Sequence, residues 1–138
     1  MSKTFTGGCA CGAIRYACDG EPVYMGKCHC RDCQRATGSA FEAVVAVPEA
    51  AVTMQGTPKV YVSKGDTGND IRRSFCPDCG GTLMSSADIM PNVVMLTTGT
   101  LDDSSQFKPS MQIYCDSAQP WVDLQGDIKR FPKMPMPG

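Results

Sequence analysis

Seven of the nine cysteines in this 138-residue sequence fall into three short clusters: Cys9-x-Cys11, Cys28-x-Cys30-x-x-Cys33 and Cys76-x-x-Cys79. Thiols at such spacings point to metal ligation, and zinc is the ion that takes four sulfur or nitrogen ligands in a tetrahedron. The last cluster, "CPDCGG", is a zinc-knuckle pattern. Pro77 and the two glycines tighten the turn, so that backbone amides can face the sulfurs and two thiolates can meet one metal. Such a pair supplies half a tetrahedral site. If Cys9 and Cys11 supply the other half, the result is a closed structural zinc that ties the N-terminus to a distant turn, and its binding energy becomes folding energy. Cys28, Cys30 and Cys33 would then hold a second metal with three protein ligands and one free position, the arrangement of catalytic zinc. Spacing does not impose this partition. Cys9 and Cys11 can instead pair with Cys28 and Cys30, leaving Cys33, Cys76 and Cys79 to other roles.

The elements that must hold these clusters read as strands. "AIRYAC" (13–18), "VYMGKC" (23–28), "FEAVVAV" (41–47), "KVYVS" (59–63), "IRRSFC" (71–76), "VVMLTTG" (93–99) and "MQIYC" (111–115) are short and rich in β-branched or aromatic residues. Gly, Pro, Asp and Ser separate most of them. A helix is expected only from Cys30 to Thr37, closed by Gly38, with a turn at "PEAAV" (48–52) and a polar turn within "VSKGDTGND" (62–70). The fold expected is mainly β, an antiparallel arrangement of short strands with one short helix. Residues 1–130 read as a single domain, and 131–138, with three prolines, as an extended, mobile tail.

Composition narrows the function. Apolar residues make up 42% and charged residues 20%, which is a globular balance. Thirteen basic and fourteen acidic residues leave a net charge of −1, against a general nucleic-acid binder. No window approaches a membrane span, and "MSKTFTGGCACG" lacks an apolar signal core. The expectation is a cytoplasmic protein, where reduced cysteines serve metals rather than disulfides.

"GGCACGAIRY" (7–16), "CHCRDCQRATGSAF" (28–41), "SFCPDCGGTL" (74–83) and "PWVDL" (120–124) resemble, in order and spacing, the glutathione-dependent formaldehyde-activating enzyme family, which includes the centromere protein V domain. The resemblance runs from about Gly7 to Trp121. It implies a zinc-stapled β-tent with two zinc ions per chain. Cys9, Cys11, Cys76 and Cys79 match the family's structural ligands, and Cys28, Cys30 and Cys33 those of its catalytic zinc. The activity implied is a carbon–sulfur lyase reaction that joins glutathione and formaldehyde reversibly as S-(hydroxymethyl)glutathione. The partner implied is a small-molecule thiol such as glutathione. Many relatives carry a His where Gln112 stands, and the chain is shorter than the named enzyme.

A zinc held by three thiolates is a weak Lewis acid and suits a soft, exchangeable fourth ligand such as a substrate thiolate. His29, the single histidine, lies between two ligand cysteines; neighbours in an extended segment point apart, so it reads as a supporting residue or proton relay rather than a ligand. Arg35 is a candidate to grip a substrate carboxylate, although Lys27, Arg31 and Arg35 also read as solvated charges on a short helix. Ser39 and Phe41, just past that helix, and Gln112 are further candidates for substrate contact. Cys18 and Cys115 read as buried small hydrophobes, Trp121 as core or rim packing, and Asp32 as an exposed helix-face acid. Two other classes compete with the lyase: a non-catalytic zinc-stapled binding module, and a redox-sensitive protein whose Cys28, Cys30 and Cys33 oxidise and release metal.

Overall fold

The computed structural model describes residues 4–124 and 128–134. In chain order its strands are β1 (Thr4–Gly8), β2 (Arg15–Asp19), β3 (Tyr24–Cys28), β4 (Glu42–Pro48), β5 (Val52–Gln55), β6 (Lys59–Lys64), β7 (Asp70–Phe75), β8 (Thr82–Ala87), β9 (Val93–Thr97), β10 (Met111–Ile113) and β11 (Lys129–Arg130). One helix, α1 (Arg31–Thr37), follows β3. Its ends are those expected. Cys30 caps the start by accepting a hydrogen bond from the Cys33 amide, and Gly38 closes it in the left-handed region at φ 64°. The "PEAAV" turn is a short 3-10 helix over Glu49–Ala51.

The strands form two sheets, of order β1-β2-β5 and β11-β10-β3-β4-β9-β8-β7-β6. Strand alternation gives the large sheet two different faces. On one face Met25, Val45, Val47, Val94 and Leu96 meet Phe5, Ile14, Tyr16 and Cys18 from the small sheet's side, and this is the main core. The small sheet is locked down where β1 passes Leu101. A Cβ on Gly7 would lie 2.3 Å from the Thr100 carbonyl oxygen and 2.5 Å from the Tyr16 hydroxyl, so only glycine allows that approach.

The other face is read off the register. Cys28 lies opposite Glu42, Gly26 opposite Val44 and Tyr24 opposite Ala46; Ala46 lies opposite Met95, Met95 opposite Ser85, and Ser85 opposite Arg73. Directly opposed residues share a face, so Cys28, Glu42, Val44, Met95, Ser85 and Arg73 line one surface, away from the main core. A bulge between Ser74 and Phe75 shifts the β7–β8 register, so Leu83 and Met84 are both buried.

Several details depart from the sequence reading. β1, β5, β8 and β11 were not anticipated. β10 pairs in parallel with both β3 and β11 rather than antiparallel, because the connection from Thr98 to Ser110 returns the chain to the far edge of the sheet in the direction of β3. The expected mobile tail is extended and hydrogen-bonded over its first half. Phe131 donates to Gln112 O, Cys115 to Phe131 O, Asp116 to Pro132 O and Tyr114 to Lys133 O, and Phe131 and Met134 pack against the Cys28–Cys33–Ile113 cluster. Residues 135–138 lie outside the described residues. Trp121 is 72% exposed rather than packed. Cys18 is buried as expected, but Cys115 is half-buried at the start of a 3-10 turn. Among the described residues, no helix is long and apolar enough to cross a membrane.

Candidate metal centres and the cavity beside them

The two cysteine groups that the structure brings together are Cys9, Cys11, Cys76 and Cys79, and Cys28, Cys30 and Cys33; within each, the sulfurs lie within 4.8 Å of one another. The alternative pairing of Cys9 and Cys11 with Cys28 and Cys30 does not occur. Topology decides this. The β1–β2 turn and the β7–β8 turn both reach the main core, where Cys9 and Cys76 are buried, whereas Cys28 ends a strand on the opposite surface.

The first group fits a tetrahedral metal. Zinc–sulfur bonds of about 2.3 Å imply sulfur–sulfur separations of about 3.8 Å, and the Cys9–Cys11 and Cys11–Cys76 pairs are both at 3.7 Å. Backbone amides face the sulfurs: Ile14 N–H donates to Cys9 Sγ at 3.3 Å, and Asp78 and Cys79 N–H to Cys76 Sγ at 3.4 and 3.5 Å. Such donors stabilise thiolates. The Cys79 thiol is lowered to about 6, chiefly by the backbone at Cys11 and Gly81.

The second group stops at three. Cys33 Sγ donates to Cys28 Sγ at 3.2 Å, and the Cys33 amide donates to Cys30 Sγ at 3.2 Å. Hydrogen bonds from Cys28 and then Cys33 hold the Cys30 thiol well below its usual range. Three thiol donors with amide support fit a soft divalent ion with room for an exchangeable ligand.

These three cysteines form one wall of a cavity of about 160 Å³. Its other walls come from the site face of the large sheet, including Val44, Ile71, Ala87 and Met95, with Ile113 and the β6–β7 turn (65–69) at the rim. Two charged residues that the sequence reading passed over stand on the wall. Glu42 is 3% exposed. Its Oε2 accepts from Thr97 Oγ1 at 3.0 Å, and burial raises its carboxyl above the usual range. Arg73 sends Nη2 to within 3.9 Å of Cys33 Sγ, and its Nη1 donates to Ser63 Oγ at 3.2 Å. Its positive charge also helps to lower the Cys30 thiol. A single acid opening the apolar run "FEAVVAV" was a usable signal, since buried acids need a reason. The "RR" of β7 must send one arginine to each face, but nothing local says which faces the cysteines.

The sequence-derived substrate contacts are placed differently. His29 and Gln112 are each 1% exposed and bond to each other, Nε2 to Oε1 at 2.9 Å. The His29 ring lies against Phe41, with ring centres 5.3 Å apart. Alternation is the reason: with Cys28 on the cavity face, His29 turns behind it, and Gln112 meets it there. Arg35, in the last turn of α1, and Ser39, just past it, are both exposed. None of His29, Arg35, Ser39, Phe41 and Gln112 lines the cavity. Asp32, exposed as expected, stands at its rim.

Among solved structures, the chain is similar to a crystal structure of a Rhodobacter sphaeroides protein, with a TM-score of 0.55 and 19% identity over 70% of this chain and 87% of that one. At that identity the likeness shows the fold alone. No curated protein matches the sequence. The family model described as glutathione-dependent formaldehyde-activating enzyme matches residues 4–117, a span that takes in all seven clustered cysteines, and the chain therefore belongs to that family.

Proposed function

We propose that the protein is a zinc-dependent carbon–sulfur lyase acting on a thiol–aldehyde adduct, the reaction type by which glutathione and formaldehyde give S-(hydroxymethyl)glutathione. The observation that carries this reading is the three-cysteine group on the wall of an apolar cavity, next to a buried carboxyl and an arginine. Cys9, Cys11, Cys76 and Cys79 would hold a structural zinc, and Cys28, Cys30 and Cys33 a second. The chemistry that a zinc held by these residues would supply is acidity, so that a thiol brought to it would be deprotonated at neutral pH.

The chain's own residues have separable parts. Arg73 offsets the negative charge of the three thiolates, which otherwise opposes an incoming fourth. Glu42 carries a proton beside the reacting atoms. In the forward direction the carbon–sulfur bond forms, the carbonyl π bond breaks, and the proton lost by the thiol ends on the former carbonyl oxygen. In reverse that proton leaves the hydroxyl and the sulfur is released. The apolar walls keep bulk water from the aldehyde.

The test joins a metal count to an exchange assay. Wild-type protein should hold two zinc ions and accelerate adduct exchange between a thiol and formaldehyde, while Cys33→Ser should lose one zinc and the acceleration together. Acceleration that survives loss of that zinc would overturn the reading. One zinc in the wild type, with no acceleration, would favour a stapled binding module.

A further inference from the structure

The charges around the cavity do not suit a tripeptide thiol. Glutathione carries two carboxylates and one ammonium group. Among the described residues, four acids line or rim the cavity, Asp32, Glu42, Asp66 and Asp70, against one cation, Arg73. That arginine is already engaged, with Nη2 toward Cys33 Sγ and Nη1 on Ser63 Oγ, and its Nε is buried without a partner. Lys64, at the end of β6 beside the β6–β7 turn, is paired with Asp70 at 2.6 Å. Asp66 accepts from the Tyr114 hydroxyl at 2.7 Å, which holds the acidic β6–β7 turn over the cavity. Among the described residues Arg73 is the one cation lining the cavity, against the two carboxylates of a tripeptide thiol.

Beside Ser85, Thr67 and Asn69, much of the rest of the wall is apolar, with Val44, Ile71, Ala87, Ile89, Met95 and Ile113 lining the space. Its size is informative: an apolar cavity of roughly 150 Å³ accommodates a benzene-sized molecule, and this one is about 160 Å³. We infer that the thiol this site takes is a small one with an uncharged, apolar body of about six carbon atoms, its sulfur directed to Cys28, Cys30 and Cys33. This rests on the thiol-adduct reading above and names the substrate class for it.

Calorimetric titration of the zinc-loaded protein with benzyl mercaptan, glutathione and mercaptosuccinate tests it, with zinc content checked afterwards. Each buried methylene-sized group contributes about fourfold in affinity, so benzyl mercaptan should bind at least about tenfold more tightly than either charged thiol. Ala87→Phe and, separately, Met95→Phe should fill the cavity. Each should cut benzyl mercaptan affinity by about tenfold while both zinc ions stay bound. Asp66→Asn should narrow the gap by raising glutathione affinity. Tighter binding of glutathione or mercaptosuccinate by the wild type would overturn the apolar-thiol assignment while leaving the thiol-adduct reading standing. No binding of any thiol to the two-zinc protein would overturn both. Undiminished benzyl mercaptan binding by both Phe variants would remove the sulfur-plus-cavity geometry.

Discussion

Replacing Cys79 with serine isolates what the four-cysteine group does for stability. Cys79 is exposed, so the change leaves the core untouched and removes one sulfur of the cross-link. Cys11 and Cys76, in contact through their sulfurs, are 65 positions apart in sequence. Treated as a cross-link closing a loop of that length, the site restricts the unfolded chain by about 4 kcal/mol. For a chain of 138 residues, an unfolding entropy of about 0.3 kcal/mol/K converts this to a fall in Tm of about 14 °C. Cys30→Ser is the matched comparison. Cys28 and Cys33 are five positions apart, so that group restrains the unfolded chain by only about 2 kcal/mol, or about 7 °C. Serine also keeps the helix cap that Cys30 provides. Differential scanning calorimetry with a metal count on each variant is the assay. The expectation is one zinc lost in each, with a Tm fall about twice as large for Cys79→Ser. Equal falls, or a larger one for Cys30→Ser, would refute the argument that loop length sets the effect. Two zinc ions retained by Cys79→Ser would refute its place as a ligand.

Glu42→Gln should lower kcat for adduct exchange by about a hundredfold or more with zinc content unchanged; a wild-type rate would remove Glu42 from proton transfer. Leu96→Ala, at a fully buried position between the sheets, should destabilise by about 3 kcal/mol in urea unfolding, and a change below about 1 kcal/mol would mean that the core is not where β9 places it. Asp102 accepts from Thr6 Oγ1 at 2.8 Å and Arg15 Nη1 at 3.0 Å, and its carboxyl is lowered to about 2, chiefly by Arg15 and then Thr6. A depressed carboxyl stabilises fully above its ordinary pKa of about 3.9 and loses that stabilisation as pH falls through its folded value. The stability difference between wild type and Asp102→Asn should therefore be flat from about pH 7 to 5 and shrink between about pH 4 and 2. A difference that persists at the acid end would contradict the ion pair.

The cysteine groups were legible as candidate metal ligands because a zinc knuckle is local: two or three thiols a few positions apart can meet one ion whatever the rest of the chain does. The helix was legible for the same kind of reason, with Cys30 able to cap and Gly38 able to adopt positive φ. Seven strands showed through their β-branched residues. β1, "TFTGG", and β8, "TLMSSA", did not, because glycine, serine and alanine carry little intrinsic strand signal and extend only where neighbours pair with them.

By itself, the sequence determined a mainly β chain, three cysteine clusters and the family to which they belong. Spacing alone left open which cluster joins which, and apart from Gln112 the substrate contacts the sequence suggested, His29, Arg35, Ser39 and Phe41, lie near Cys33 along the chain rather than across the sheet. Tertiary structure decided those points through register. Opposite Cys28 stands Glu42, three strands further across stands Arg73, and His29 turns to the back with Gln112. A cavity walled by residues from β3 to β10 has no local signature, because its members become neighbours only when hydrogen bonding sets each strand's register and alternation selects the face.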